Sequence, residues 1–365
     1  MPTLRLLLLP LALLALVAGA VQEAARGAQD PATEAPAAEV ADETAAVEVP
    51  TAVDGRPVHL PGWEDVACAD CHREIAEEWA GTLHAQAWID EVYQKALETK
   101  RRPQSCWGCH IPEPLHLAPL GQKPRPRDDV EEDPRHHGVS CTSCHLGPDG
   151  VMLGPFESGP GNEISGAHDS RQHESFVEGP GQDALCIACH RTNVGPVIGI
   201  AKDFELTRQA DKGRSCVGCH MPEVERSHAV VTKDDGSVYT APVRPGRRHT
   251  LNTPRDPGFL AKAFELEPLP GGVGLSVGNN AGHRIPGLKT RTMTFRVEAL
   301  DADGAVLGSA EAVISAKDFL AVDGSLRIPV ETGGAAAASL RVVGLHEWLG
   351  PPEPQVFVDE VLDLE

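Results

Sequence analysis

The sequence predicts a mixed fold, in which a mainly α-helical and irregular domain is followed by a small antiparallel β-sandwich. Aromatic residues make up only 4% of the chain, and Leu, Ile and Val are sparse between residues 64 and 230. A segment of that composition cannot bury enough apolar surface to form an ordinary side-chain core. From about Gly274, in contrast, apolar residues recur with a period of two, which is typical of half-buried strands. We therefore expect the first domain to pack around a group other than its own side chains.

The first twenty residues predict a secretory signal peptide. Arg5 precedes a Leu- and Ala-rich run from Leu6 to Val17, and the small residues Ala18-Gly19-Ala20 follow. A basic start, a short apolar stretch and an A-x-A end are the features of a cleaved export signal. The alternative is an uncleaved anchor in contact with a membrane, although a spanning helix needs about 20 apolar residues. We expect cleavage after Ala20 and a periplasmic or extracellular protein.

Residues 21–60 are predicted to form a disordered linker, because they are rich in Ala, Pro, Glu and Asp and contain no aromatic residue. The first domain is then expected over residues 61–268 and the β-sandwich over residues 269–365.

The ten cysteines of the chain form five pairs with one internal spacing. Each pair reads Cys-x-x-Cys, and a histidine follows the second cysteine at once. The five motifs are Cys68, Cys71 and His72; Cys106, Cys109 and His110; Cys141, Cys144 and His145; Cys186, Cys189 and His190; and Cys216, Cys219 and His220. Two thiols at this spacing reach the two vinyl groups of one porphyrin, and the next histidine comes up beneath the iron as the proximal ligand. The sequence therefore predicts five covalently bound haem c groups, which would also supply the missing interior.

Three other uses of cysteine pairs explain the pattern less well. Zinc sites combine two Cys pairs, or a Cys pair with a His pair, and five pairs do not divide into Cys₄ sites. Disulfides suit an exported chain but give no reason for a fixed spacing. Thioredoxin-like pairs need a βαβ context, which this sequence lacks. Haem attachment explains the adjacent histidine, and it takes place outside the cytoplasm, where the export signal would send the chain.

Each haem iron can take a second axial ligand, and subtracting the five motif histidines from 16 leaves 11. The segment from Arg73 to Thr99 is predicted to be helical, with a break at Gly81-Thr82. It carries His84 twelve residues after His72, which is about 18 Å along a straight helix, so His84 is expected to serve a neighbouring haem. The full set of candidates for the distal position is His84, His136, His137, His168, His173, His228, His249 and His283. Only one of the adjacent histidines at 136 and 137 is expected to face an iron.

The C-terminal third contains strand patterns and one notable turn. Period-2 runs cover residues 292–300, 325–330, 339–345 and 355–361, and the turn Asp301-Ala302-Asp303-Gly304 follows the first. His283 lies in the sequence Gly282-His283-Arg284-Ile285-Pro286, where Gly and Pro fix the backbone and would make the ring point one way. The alternative is a purely structural turn. Without cysteine, this domain binds no haem covalently, and we expect it to donate His283 to one.

The motif from Cys68 to His72, followed by Trp79 and His84, resembles the opening of the cytochrome c-554 type of multihaem cytochromes. Gly138-Val139-Ser140 before Cys141, and Met221-Pro222 after His220, resemble later motifs of that group. The resemblance covers about residues 64–300. It implies an electron carrier with closely stacked haems and with second ligands at His84, at His136 or His137, at His249 and at His283. The chain departs from the tetrahaem member in having five motifs, and its Gly-His turn lacks a Thr between Pro286 and Gly287.

Three functions are compatible with these features. The first is electron transfer through a short chain of mostly bis-His haems, for which the net charge of −21 suits docking to a basic patch on a redox partner. That charge argues against binding to nucleic acid. The second is an oxidoreductase acting on a small nitrogen or sulfur compound, which needs one iron with an open site; no residue is assigned as catalytic. The third is a structural or filament-forming cytochrome, an oligomer whose subunits contribute ligands to one another through surface histidines such as His59 or His346. We expect the first.

Overall fold

The fold was analysed in a computed structural model, which describes residues 68–127, 138–157, 168–179, 181–193, 199–233, 235–351 and 353–364. The predicted signal peptide, the predicted linker, and the candidate ligands His136 and His137 lie outside the described residues.

The helices of the described chain are short. They are α1 Cys68–Cys71, α2 Arg73–Ala80, α3 Glu91–Glu98, α4 Gln104–His110, α5 Cys141–His145, α6 Ala184–His190, α7 Ile200–Leu206, α8 Cys216–His220 and α9 Pro257–Ala261. The helical segment predicted from residue 73 is interrupted, because the chain turns after α2 and restarts at α3. The Asp90 side chain caps α3 by accepting a hydrogen bond from the Tyr93 N–H at 2.9 Å. None of the helices in this part of the chain combines the length and apolar character needed to cross a bilayer.

Three two-stranded ladders lie among these helices. Strands β1 Met152–Gly154 and β2 Ser170–Gln172 pair in parallel. Strand β3 Glu223–Ser227 pairs with β6 Val243–Arg247, and β4 Val230–Thr232 pairs with β5 Val238–Thr240, both antiparallel. The last of these strands, β6, ends two residues before His249 and so delivers that histidine to the helical region.

The C-terminal region consists of two antiparallel sheets, as the period-2 pattern predicts. One has the order β10-β9-β12-β13, with β9 Arg291–Leu300, β10 Val306–Ile314, β12 Ser339–Trp348 and β13 Gln355–Asp363. The other has the order β11-β8-β7, with β7 Phe264–Pro268, β8 Gly274–Asn279 and β11 Ser325–Pro329. The first strand of this region, β7, begins at Phe264, five residues before the predicted start of the β-sandwich at residue 269. Its ladder with β8 starts at the pair Phe264 and Asn279.

The main side-chain core lies between these two sheets. Leu275 and Val277 of β8 and Phe295 and Val297 of β9 are fully buried in it. Phe264 packs edge-on against Phe295, with ring centres 5.1 Å apart. The described residues before position 199 bury no aromatic side chain. Their buried apolar side chains include the alanines Ala76, Ala80, Ala85 and Ala188 and the aliphatic Ile111, Leu115, Val139 and Leu153. The helical region thus has little apolar core of its own, and its cysteines and histidines converge where that core would be.

Candidate haem-binding centre

Each Cys-x-x-Cys-His motif lies on a short helix that ends at or directly before its histidine. Helix α1 ends one residue before His72, and α4, α5, α6 and α8 end on the other four motif histidines. Ser140 and Ser215 cap α5 and α8, because their hydroxyl oxygens accept the N–H of Ser143 and Gly218. All ten cysteines are free thiols. Every sulfur is therefore available to form a thioether.

Backbone carbonyls fix the orientation of four motif histidines. The Nδ1 atoms of His72, His110, His145 and His220 lie 2.5, 2.7, 2.7 and 2.6 Å from the carbonyl oxygens of His228, Ala87, Leu153 and Asn252. A carbonyl only accepts, so Nδ1 carries the hydrogen and the neutral ring keeps the lone pair on Nε2. Histidine ligands of metals generally have their second nitrogen held in this way. Nε2 is thus left free to bind iron.

Four motif histidines each face a second imidazole. The distances between ring centres are 6.1 Å for His72 and His168, 6.0 Å for His190 and His84, 6.2 Å for His145 and His249, and 6.5 Å for His220 and His283. Two imidazoles whose nitrogens each lie about 2 Å from one shared metal ion have ring centres about 6 Å apart. Each pair therefore has the spacing required to hold one iron between its rings. His84 faces the fourth motif and not the first, in line with its twelve-residue separation from His72.

Burial keeps three of these rings, His84, His190 and His249, in the neutral form that binds metal. Desolvation, reinforced by neighbouring histidines, lowers the pKa of His84 and His190 to about 4. Desolvation likewise lowers the pKa of His249 to about 4, with His145 and Arg226 adding to the effect. Neutral imidazole is the ligand form, so no proton has to be displaced near neutral pH before iron binds.

A buried ion pair holds the turn that carries His283. The Asp203 carboxylate on α7 accepts the Arg284 N–H at 2.7 Å and the Arg284 guanidinium at 3.0 Å. The Asn279 side chain donates to the His283 carbonyl at 3.0 Å. Both Asp203 and Arg284 are mostly buried, with side chains 10% and 19% exposed. The turn is therefore fixed from both sides, by the helical region and by β8.

A second ion-pair network holds His249. The His249 N–H donates to Glu78 at 2.8 Å, and the same carboxylate receives two hydrogen bonds from Arg226, at 2.8 and 2.9 Å, and one from Arg248. Burial alone would raise the pKa of Glu78, but the hydrogen bonds from Arg226 and the His249 N–H outweigh it and hold that pKa below its usual value. Helix α2, next to the first motif, thus positions the histidine that faces the third.

Two other candidates for the distal position are not set opposite a motif histidine. Nδ1 of His173 accepts the Ser175 N–H at 3.2 Å, so this ring caps the 3₁₀ turn at residues 174–176. The His228 ring packs against Phe156, with ring centres 5.2 Å apart, and only its carbonyl reaches His72.

The expectation that His346 lies on the surface is wrong. Its side chain is 0% exposed, because the register of β12 sets it opposite Met293 on the inward face of the sheet.

The surroundings of His110 contain features that the sequence did not indicate. Its ring stacks on Tyr93, with ring centres 3.6 Å apart, and no second imidazole lies about 6 Å away among the described residues. The Tyr93 hydroxyl and the Trp107 indole N–H are buried and have no hydrogen-bond partner in this part of the structure. Away from His110, the Nε2 atom of His116 is likewise buried and unpartnered there, and its ring lies beside that of His173, with ring centres 4.7 Å apart. His116 was not among the candidates, since nothing in its local sequence marks it. Free thiols, facing imidazoles and unpartnered polar atoms together fit a haem-binding chain.

The motifs adjoin one another through their cysteines. The thiols of Cys68 and Cys141 are in contact, as are those of Cys109 and Cys189. The Cys186 and Cys216 thiols also meet, with Asp183 beside them and ligand atoms within 4.8 Å of one another. This last group could bind a cation in a haem-free chain, but both sulfurs belong to motifs. Motif one therefore neighbours motif three, and motif four neighbours motifs two and five.

The chain is similar to known c-type cytochromes in sequence and in fold. Residues 67–146 match the family described as cytochrome c554 and c-prime. Cytochrome c-554 of Nitrosomonas europaea is 31% identical over 139 residues, which cover 34% of this chain and 54% of that relative. The crystal structure of a penta-heme cytochrome c552 from Thermochromatium tepidum superposes with a TM-score of 0.51 at 15% identity, and the match covers 85% of this chain and 100% of that one.

The matched region spans about half of the curated relative, and the structural match extends the shared fold over most of the chain. The family match, the relative and the shared fold together support a relationship of this chain to the multihaem c-type cytochromes.

Proposed function

We propose that this protein is an exported pentahaem cytochrome c that transfers electrons along closely packed, mostly bis-His haems. The observation that carries the proposal is the set of four facing imidazole pairs at 6.0–6.5 Å. Bound haem supplies one-electron chemistry, since its iron alternates between the ferric and ferrous states. The two histidines of each pair would hold one iron from both sides, which would exclude substrate and lower the reduction potential relative to His/Met ligation.

The contacts between motifs support a continuous electron path. Motif one adjoins motif three at Cys68 and Cys141, and motif four adjoins motif five at Cys186 and Cys216. Electrostatic proximity of Cys144 and Cys186 links motif three to motif four. We infer the order one, three, four, five, with motif two beside motif four. The protein's part is to hold these attachment points together and to orient each histidine.

The remaining features fit this assignment. We infer that the two C-terminal sheets form a β-sandwich whose turn donates His283 to the fifth haem. The signal-peptide pattern over residues 1–20 supports export to the periplasm or beyond. The net charge of −21 supports docking to a partner with a basic patch, and steering by such charge would weaken with added salt.

One observation favours a second candidate, an oxidoreductase with a single open haem. His110 stacks on Tyr93 and has no facing imidazole among the described residues. If no other side chain fills that position, the second haem would bind a small nitrogen or sulfur compound. Electron transfer through the other four haems would then feed this site.

One preparation tests the proposal. Intact mass and the pyridine haemochrome spectrum give the number of haems, and low-temperature electron paramagnetic resonance gives their spin states. We expect five haems, at least four of them low-spin, and full reduction by a neighbouring carrier protein. Haems that stay oxidised at physiological potentials, or a majority of high-spin centres, would overturn electron transfer as the function. One high-spin haem that binds CO or nitrite would select the second candidate.

A further inference from the structure

A buried basic cluster lies between the four-stranded sheet and the loop that precedes α9. Arg291 begins β9, His346 lies near the end of β12 and Gln355 begins β13, while Arg255 comes from the loop. Arg291 is 7% exposed and His346 0% exposed, whereas the Arg255 side chain is 33% exposed. An Arg291 Nη atom lies 3.2 Å from His346 Nε2, and Gln355 donates to the Arg255 carbonyl at 3.2 Å. We refer to Arg291, Arg255 and His346 as the Arg291 cluster.

The positive charge of the Arg291 cluster is not balanced. Burial, together with Arg291, lowers the pKa of His346 to about 4, so this ring is neutral and its Nε2 accepts from the guanidinium. Burial, together with Arg255, lowers the pKa of Arg291 to about 10. In the described part of the chain, the one carboxylate within ion-pair distance of either guanidinium is Asp90, 3.6 Å from Arg255. Arg291 has no acidic partner there, and Arg255 Nε is buried without a hydrogen-bond partner.

The cluster adjoins two of the haem-binding motifs. Three residues before Arg255, the Asn252 carbonyl fixes the proximal histidine His220. On the other side of the cluster, Asp90 caps helix α3, and the Tyr93 ring of that helix stacks on His110 of the second motif. The unbalanced charge therefore lies between the second and the fifth motifs.

A desolvated guanidinium without a counter-charge is strongly unfavourable, so a group of opposite charge is required. The planar fork of arginine matches the two oxygens of a carboxylate. Haem c carries two carboxylates of its own, the propionates. We propose that Arg291 and Arg255 form a carboxylate-binding site that holds a propionate of the haem at motif two or motif five, with His346 as a positioning residue. This inference rests on the proposed haem-binding function.

The site has a measurable electrostatic consequence. A fixed positive charge near a haem edge favours the reduced iron over the oxidised iron, which carries one more positive charge. Removal of the Arg291 charge should therefore lower the reduction potential of one haem. His346 acts by holding Arg291 in place, so its replacement should shift the same potential less than replacement of Arg291 does.

The experiment compares three variants of the full haem-loaded protein by spectroelectrochemical titration. Arg291→Met removes the charge, Arg291→Lys keeps it, and Arg296→Met removes an exposed arginine of the same strand that pairs with Glu311. We expect Arg291→Met to keep all five haems and to lower the potential of one, Arg291→Lys to recover most of that shift, and Arg296→Met to match the wild type.

Two results would overturn the proposal. The first is that Arg291→Met leaves the reduction potentials of all haems unchanged while every haem is still reducible. That result would contradict the propionate site but not the proposed electron transfer. The second is a rise in the melting temperature of the wild type on addition of sulfate that Arg291→Met abolishes, because it would show that a free anion occupies the site. Loss of the haems from the wild type itself would instead contradict the proposed function.

Discussion

Gly138, shortly before the third motif, approaches the backbone around His84 so closely that the Cβ of an alanine would collide with it. Its φ is +102°, and an added Cβ would lie 2.3 Å from the His84 carbonyl oxygen and 2.6 Å from that of Ala85. Ordinary contact begins at 3.4 Å, so the His84 carbonyl would have to move by about 1.1 Å, the difference between 3.4 and 2.3 Å. The nearby atoms belong to backbone, which cannot rotate away.

The expected cost of Gly138→Ala has two parts. A positive φ costs a non-glycine residue about 1–2 kcal/mol, and overpacking of a buried site costs about 1–3 kcal/mol more. A shift of about 1 Å in His84 is half the length of a metal–nitrogen bond of about 2 Å, so the ring can no longer bind opposite His190 without strain. We expect a loss of about 2–5 kcal/mol in the free energy of unfolding and a fraction of haem released to the high-spin state.

The assay is urea unfolding followed by haem absorbance, together with electron paramagnetic resonance of the oxidised protein. Gly150→Ala is the matched control, because Gly150 also has a positive φ, +79°, but nothing lies within 4 Å of the added Cβ. This control should lose only the backbone part, about 1–2 kcal/mol, and should remain low-spin. Equal stability and equal spectra in the two variants would refute the reasoning, because only Gly138 meets the His84 backbone.

Two further perturbations probe the support of the His283 turn and the buried ring of His346. Asp203→Ala should lower the free energy of unfolding by about 2–4 kcal/mol and convert part of the fifth haem to high spin, since it breaks the buried ion pair behind His283. The control Glu205→Ala breaks a more exposed ion pair on the same helix, so it should cost under about 1 kcal/mol and leave the spectrum unchanged. Identical behaviour of the two variants would show that Asp203 does not hold the turn. Burial and Arg291 lower the pKa of His346 from 6.5 to about 4. Between these two pH values the His346 ring is therefore protonated in the unfolded state and neutral in the folded state. Stability should therefore fall as the pH drops from 6.5 to 4, by up to about 3 kcal/mol more in the wild type than in His346→Gln; parallel stability profiles of the two proteins across that range would contradict this account.

The features that could be predicted from sequence are those with a local signal. The spacing of Cys and His within five residues identifies each attachment point, and alternation within a single strand identifies β9, β11, β12 and β13. The break after α2 follows from Gly81, which has a low helix propensity. Even His346 had such a signal, because Leu340 and Val342 of the same strand face inward and His346 continues their period of two.

The pairing of histidines could not be predicted, because it depends on contacts between distant segments. His84 faces His190, 106 positions further along the chain, and no periodicity connects them. His173 and His84 are both candidates from the sequence, yet one ring caps a turn and the other faces a motif. The residue type gives the capacity to bind iron, whereas only the fold decides which ring is brought opposite which motif.

Each attachment site is completed by a segment that belongs to another part of the chain. The His72 ring is oriented by a carbonyl 156 positions away, and the His84 carbonyl accepts the N–H of Val139, next to the third motif, at 2.9 Å. Hydrogen bonds of this kind contribute only about 0.5–1.5 kcal/mol each, and the described helical region buries no aromatic side chain and many alanines, so they cannot order that region by themselves. The C-terminal sheets, in contrast, have the core around Phe295. We therefore expect the proposed haems to supply the missing interior of the helical region. An iron bound by two histidines from separate segments would join those segments more firmly than their own contacts do.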